Sequence, residues 1–287
     1  MKRQSWTDER NEWLAEHYVN LTNRDIAQRL GRSMEAVKQQ AHKLGLTKYP
    51  DDISFFENWS AESAYIIGLF AADGYAQNRP GRGVALSISQ KEKEILERIQ
   101  ALVGRGNLYY IWQNDSYRYE LHSRKLYEFL NGVFGHDVQA KSRTLQWPTV
   151  PGQYERDFIR GYCDGDGHVS LDGRGAAQIR LCSGSECFRD GLLAKVADLT
   201  GIRGTTALTI NDLYLALYSS IKAVCLAKWL YRPGDLAMER KREAARELAA
   251  QEQNRINKDS LTPTMRRKFP TILGRHDRET ANYLLAD

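Results

Sequence analysis

Cysteine is scarce, with four in 287 residues and no two spaced as Cys-x-x-Cys. Cys163, Cys182, Cys187 and Cys225 therefore read as reduced thiols, and neither a disulfide framework nor a zinc site is expected. Long apolar runs are missing too. No stretch reaches the roughly 18 residues needed to cross a bilayer, so no membrane partner is expected. The first residues, MKRQSWTDERNEW, hold no apolar signal core. Neither secretion nor organelle import is expected, and a cytoplasmic location is. Met1 at one end and Leu285-Ala286-Asp287 at the other lack splicing nucleophiles, so self-splicing is not expected.

Charge of one sign is not abundant either: the net is +5. Its distribution says more than its size. Residues 1–50 carry +3, residues 236–287 carry +3, and the middle carries −1. Basic ends around a neutral middle suit a nucleic-acid binder whose termini add phosphate contacts. The length predicts about two domains of ordinary size, and a hydrophobic fraction of 42% suffices for their cores.

The chain is organised around a stretch and its echo. AYIIGLFAADGY (residues 64–75) and FIRGYCDGDGH (residues 158–168) each run through an internal glycine to a small residue, an aspartate and a glycine. Aligned, Gly68 matches Gly161, Asp73 matches Asp166 and Gly74 matches Gly167. A repeat at this spacing suggests a duplicated domain. Each copy reads as a helix. Ile66, Ile67, Leu69 and Phe70 leave the first almost no polar face, so it must be buried on most sides. A mid-helix glycine costs about 1 kcal/mol against alanine, which close approach of two helix backbones would offset. Gly74 and Gly167 are expected to stop the helices in the left-handed conformation. Asp73 and Asp166 then sit at the negative ends of two helix dipoles. Two such carboxylates repel unless a positive charge lies between them, and a hard divalent cation is the natural candidate.

Both stretches resemble the LAGLIDADG motif of homing endonucleases in its two-copy, single-chain form. Residues 66–74 (IIGLFAADG) form one copy and residues 159–167 (IRGYCDGDG) the other. The first departs at Ala71, where the motif has its first aspartate. The resemblance implies an α+β fold of two pseudo-symmetric αββαββα repeats. It also implies a monomeric endonuclease that cuts both strands of a long, asymmetric DNA site across the minor groove, leaving short 3′ overhangs. Asp73 and Asp166 would hold Mg²⁺ (or Mn²⁺), with Ala72 and Gly165, the residues just before them, in the same metal set. Lys141 and Lys241 are the matched lysines after the third helix of each half. Gln90 is the polar residue ending the second strand, and Ser183 is its weaker counterpart. Relatives of this kind that bind DNA without cutting, and maturases that bind RNA, are the alternatives. The aspartate kept in both copies favours cutting.

Periodicity supports the element order. Val84–Gln90 alternates as a half-buried strand, residues 91–103 read as a helix, and two aromatic strands meet at Asn114-Asp115-Ser116. Tyr75–Arg82 is polar and glycine-containing, and the order reads as helix, two strands, helix, two strands, helix. The second half repeats the order over residues 151–250, after a first repeat over 61–150. Alternation nominates Ser87, Ser89, Arg118 and Glu120, then Gln178 and Arg180, as strand residues facing DNA. Tyr109 and Tyr110 can each point either way. His168 reads as structural.

Residues 1–47 read as three short helices, capped by Thr7, Thr22 and Ser33, with Gly31 closing the second. Two helices joined by a tight glycine turn resemble a helix-turn-helix. Ile26, Leu30, Val37, Ala41 and Leu44 would form its core. Glu35, Lys38, Gln39, His42 and Lys43 would face outward, toward a DNA major groove. Residues 48–60 read as a linker whose Phe55, Phe56 and Trp59 pack onto the next domain. Residues 251–287 read as a basic tail around Arg266-Arg267-Lys268.

Overall fold

The computed structural model describes residues 5–18, 21–46, 51–79, 83–209 and 212–258. The chain forms two compact units, Met1–Asp52 and Ile53–Asp287.

The first unit holds helices α1 (Asp8–His17), α2 (Asn23–Leu30) and α3 (Met34–Lys43), and Thr7, Thr22 and Ser33 each accept a backbone N–H as N-caps. Leu14, Tyr18, Ile26, Ala27, Val37 and Ala41 are its buried core, with Leu30 and Leu46 packed against it. Leu44 departs from expectation, being 39% exposed. The cause is local. Gly45 takes φ +67° and Leu46 N–H donates to Ala41 O at 2.9 Å. This Schellman-like reversal turns Leu46 inward in place of Leu44. Gly31 closes α2 in the same way, with φ +63° and Arg32 N–H on Ala27 O at 2.8 Å.

The second unit is α+β and twofold repetitive. The first half runs through α5 (Ala61–Asp73), β1 (Gly74–Arg79), β2 (Gly83–Gln90), α6 (Lys93–Val103), β3 (Asn107–Ile111), β4 (Ser116–Leu121) and α7 (Arg124–Phe134), then a short α8 (Lys141–Thr144). The second half runs through α9 (Glu155–Asp166), β5 (Gly167–Leu171), β6 (Ala177–Ser183), α10 (Glu186–Thr200), β7 (Thr205–Leu208), β8 (Tyr214–Ser219), α11 (Ile221–Leu230) and α12 (Glu239–Lys258). The sheets have the matching antiparallel orders β1-β2-β4-β3 and β5-β6-β8-β7. A short α4 (Ser54–Glu57) precedes them, and Ile53 and Phe56 are buried in this unit's core, so the stretch expected as linker joins the second unit.

Two expectations need correction here, the tail and the helix stops, while the polar stretch Tyr75–Arg79 is edge strand β1, as the αββαββα order implies. Its polar residues pair with β2 from Gly74↔Ile88 to Arg79↔Gly83, a tertiary context that overrides weak β propensity. Residues 251–258 extend α12, while Arg266-Arg267-Lys268 lies outside the described residues. Gly74 and Gly167 are extended, at φ −74° and −87°, so their helices pass straight into β1 and β5. Glycine is needed there for space: a Cβ at Gly74 would meet Phe70 O at 2.3 Å, and one at Gly167 would meet Cys163 O at 2.2 Å.

Candidate active site

The two motif helices meet along their glycines. A Cβ at Gly68 would lie 2.0 Å from Phe158 O, and one at Gly161 would lie 2.0 Å from Tyr65 O. The helix backbones therefore touch directly, which any larger residue would prevent. The seam stays tight to its end, because a Cβ at Gly165 would meet Ala72 Cβ at 2.4 Å and Asp73 Oδ2 at 2.7 Å. Asp73 thus reaches across onto the other half's motif. The repulsion between the aspartates shows in the acidity of Asp166. Burial and then the charge of Asp73 push the Asp166 carboxyl up to about 6, against the pull of Lys141 and Tyr162. Burial also raises Asp73, opposed first by its hydrogen bond from Gln90 and then by Lys141.

The expected accessory residues gather here. Gln90 Nε2 donates to Asp73 Oδ2 at 2.6 Å. Its position follows from register. Gly74 pairs with Ile88, and Gln90 lies two residues on, upon the same face of β2. Lys141 Nζ donates to the carbonyls of Ala71 (2.9 Å) and Ala72 (3.3 Å) at the end of α5. Lys241 Nζ donates to Gly167 O, beside Asp166. Both lysines are buried, and burial lowers both ammonium groups.

In the second half, Gly167 pairs with Leu181, so Ser183 occupies the place of Gln90. Its hydroxyl accepts from Ser185 N at 3.0 Å and so serves the turn into α10. Tyr162, which aligns with Leu69, stands by Asp166 instead; its hydroxyl donates to Cys182 O at 2.5 Å. Sequence reasoning passed over Tyr162, although an aromatic hydroxyl at an otherwise apolar motif position was a usable signal. Asp164 and Arg160 were passed over as well. Asp164 is fully buried and accepts from Tyr65 OH (2.6 Å), Tyr231 OH (2.8 Å) and Met238 N (2.7 Å). Arg160, 1% exposed, pairs with Asp157 at 2.6 Å and Asp235 at 3.2 Å and donates to Leu236 O.

The metal set is only partly preassembled. Among the described residues, no three His, Cys, Asp or Glu side chains cluster as metal ligands. The expected donors are the two carboxylates, with Lys141 and Lys241 among their neighbours, and the carbonyls of Ala72 and Gly165, the residues preceding them in the chain. The Ala72 carbonyl is already engaged by Lys141. An all-oxygen set with few protein ligands fits a cation that keeps several waters.

The residues nominated to face DNA divide. Ser89 and Arg118 pair across β2 and β4, Arg118 Nε lying 3.3 Å from Ser89 Oγ, and Tyr109 is opposite Arg118 on the same face. Tyr110 pairs with Tyr117 on the other face, which settles the ambiguity. Gln178 and Arg180 are half-buried on the outward side of β6, with His168 exposed opposite Arg180. Ser87 is a correction. On a central strand between Tyr75 and Glu120, its short side chain is overtopped and only 6% exposed. In the first unit Glu35, Lys38, Gln39, His42 and Lys43 are all exposed on α3.

Comparison with known proteins agrees with this geometry. Residues 60–131 and 153–207 match the family model of a LAGLIDADG-like domain. The fold is similar to that of the LAGLIDADG meganuclease I-AabMI, solved bound to uncleaved DNA, with TM-score 0.50, 13% identity, and coverage of 75% of this chain and 98% of that one. The homing endonuclease I-ApeI of Aeropyrum pernix is 25% identical over 122 residues, 40% of this chain and 53% of that protein. A DNA-directed RNA polymerase subunit, Rpo1C of Methanocaldococcus jannaschii, is 30% identical over 139 residues, 46% of this chain. The chain spans 15% of that subunit and about half of the endonuclease.

Proposed function

We propose that the chain is a LAGLIDADG protein, as its match to that domain model over residues 60–131 and 153–207 supports, and that it is a site-specific endonuclease that hydrolyses both strands of a DNA duplex. The observation that carries this reading is the seam. Gly68 and Gly161 bring two helix ends together and set Asp73 beside Asp166, whose carboxyl is raised by burial and by that neighbour despite the nearby lysines. A protein that only bound DNA would gain nothing from two half-buried carboxylates, which repel phosphate.

Asp73 and Asp166, with the carbonyls of Ala72 and Gly165, would hold Mg²⁺ or Mn²⁺. When bound, the cation supplies Lewis acidity toward the phosphate and makes water more acidic. The chain's own groups do the rest. Gln90 orients the Asp73 carboxylate through one amide hydrogen bond. Lys141 and Lys241, each fixed by backbone carbonyls, put positive charge beside the aspartates that can offset the phosphate. The outward faces of both sheets, with Ser89, Arg118, Gln178 and Arg180, contact an extended duplex. The unlike faces suit an asymmetric target read by one chain. Lys38, Gln39, His42 and Lys43 of α3 add DNA contacts from the first unit.

The test is selection of cleaved molecules from a randomised or genomic duplex library, with and without Mg²⁺. The expected result is one long recovered sequence, cut on both strands only when Mg²⁺ or Mn²⁺ is present. Specific binding with no cleavage of any sequence overturns this reading in favour of a DNA-binding regulator.

A further inference from the structure

We propose that Asp164 is a positioning residue that holds Lys241 at the second reaction centre, and that the first centre works without any counterpart. The inference rests on the endonuclease reading. The two halves face the same problem, which is to fix a lysine against the end of a motif helix, and they solve it differently. In the first half Lys141 Nζ bonds the helix directly, donating to Ala71 O at 2.9 Å. In the second half the residue aligned with Ala71 is Asp164. Its carboxylate, 0% exposed, accepts from Met238 N at 2.7 Å. Met238 stands immediately before α12, and its carbonyl accepts from the amides of Lys241 and Arg242, both at 3.1 Å. Lys241 then reaches back to Gly167 O, the residue after Asp166.

These bonds close a loop from α9 to the first turn of α12 and back to the start of β5, next to Asp166. Its anchor is a carboxylate on an orphan amide at a helix start, where negative charge is favoured. Tyr65 of α5 and Tyr231 after α11 hold the same carboxylate from two other directions, at 2.6 and 2.8 Å. Asp164 therefore cannot turn away from Met238 without breaking bonds to both. Removing it frees the first turn of α12, and with it Lys241, while the bond from Lys141 to Ala71 is untouched.

The experiment compares wild type, Asp164→Ala, Asp164→Asn and Lys241→Met on the selected target, each strand end-labelled separately. The expected result is that Asp164→Ala cuts one strand within about threefold of the wild-type rate and the other at least about tenfold more slowly. The slowed strand is the one slowed by Lys241→Met. Asparagine, whose side-chain oxygen can still accept from Met238, restores part of the lost rate. Equal slowing of both strands, or unchanged cutting of both, overturns the proposal. Amide hydrogen exchange without DNA gives a readout independent of cleavage. Residues 238–242 should exchange about tenfold faster in Asp164→Ala, with 141–145 unchanged. Unaltered exchange at 238–242 overturns the positioning itself. Wild-type protein that cuts no duplex overturns instead the endonuclease reading, and with it the catalytic consequence.

Discussion

Where α5 carries Ile67, Leu69 and Ala71, α9 carries Arg160, Tyr162 and Asp164. All six are buried. The first helix is buried by being mostly apolar, and apart from Tyr65, whose hydroxyl bonds Asp164, those side chains ask only for filled space. The second is buried by having its polar groups answered: Arg160 by Asp157, Asp235 and a carbonyl, Tyr162 by Cys182 O, and Asp164 by two tyrosines and an amide. Only the backbone at the seam has to be alike in both, since each glycine meets the other helix's carbonyl. A pseudo-twofold axis thus constrains glycines and aspartates tightly and leaves the supporting side chains free to diverge. The cost of divergence is unequal fragility. Trimming an apolar side chain on α5 leaves a cavity. Removing a polar partner from α9 leaves a buried charge or an unpaired polar group, the more damaging fault.

The largest expected effect tests the point at which the halves should be alike. Asp73→Asn and Asp166→Asn should each reduce double-strand cleavage by about 10³-fold or more. DNA affinity measured in Ca²⁺ or without metal should change little. A strong loss from one variant alone, measured on separately labelled strands, would break the equivalence of the aspartates. Next comes the seam. Gly68→Ala and Gly161→Ala each place a methyl on a main-chain carbonyl of the facing helix, which no rotamer change relieves. Overpacking of this kind costs about 1–3 kcal/mol, and the helix-propensity gain of about 1 kcal/mol works against it. We expect a net loss of up to about 2 kcal/mol in urea unfolding, of similar size at both sites. Gly132 of α7 has nothing within 4 Å of a Cβ, so Gly132→Ala should stabilise instead and serves as the control.

The features legible in the sequence were those with a short-range signature. Helix caps at Thr7, Thr22 and Ser33 were readable because each side chain bonds its own first turn. The paired aspartates were readable because the motif repeats. Lys141, Lys241 and Gln90 were legible only through the family resemblance, since nothing local distinguishes a lysine 70 residues from its partner carbonyl. Asp164 was in plain view, but its meaning depends on Tyr65, 99 residues before it, and Met238, 74 after. Alternation failed at Ser87 because it reports which face a residue takes and not the height of its neighbours. It failed at Leu44 because a left-handed Gly45 changes the helical phase.

Acidity offers a smaller and more specific contrast. Asp166 has its carboxyl raised from 3.8 to about 6 by burial and by Asp73. A carboxyl raised on folding binds more protons folded than unfolded, so stability is full below pH 4, declines as pH rises from about 4 to 6, and is level above. Asp166→Asn removes that decline. In EDTA the variant should match wild type near pH 4 and exceed it by about 1–3 kcal/mol at pH 7.5. Equal stabilities at both pH values in urea unfolding would mean that the pair is not strained.

The finest contrast lies between Gln90 and Ser183, which share a register position and differ in what they serve. The Gln90 amide holds down the Asp73 carboxyl that burial raises, through a bond of 2.6 Å. Without it the ionised form of Asp73 loses stabilisation and the group titrates at higher pH. Gln90→Ala should therefore shift the acid limb of the pH–rate profile upward for one strand only. At neutral pH the loss should be about two- to tenfold, the worth of one hydrogen bond of 0.5–1.5 kcal/mol. The Ser183 hydroxyl accepts from the amide of Ser185 and reaches Asp166 only through Tyr162, so Ser183→Ala should shift either limb less than Gln90→Ala does while loosening the start of α10. A shift of both strands in Gln90→Ala would mean that the carboxylates titrate as one coupled pair. In that case the asymmetry of the supporting residues would not reach the carboxylate oxygens, and the inequality of the halves would be confined to their lysines.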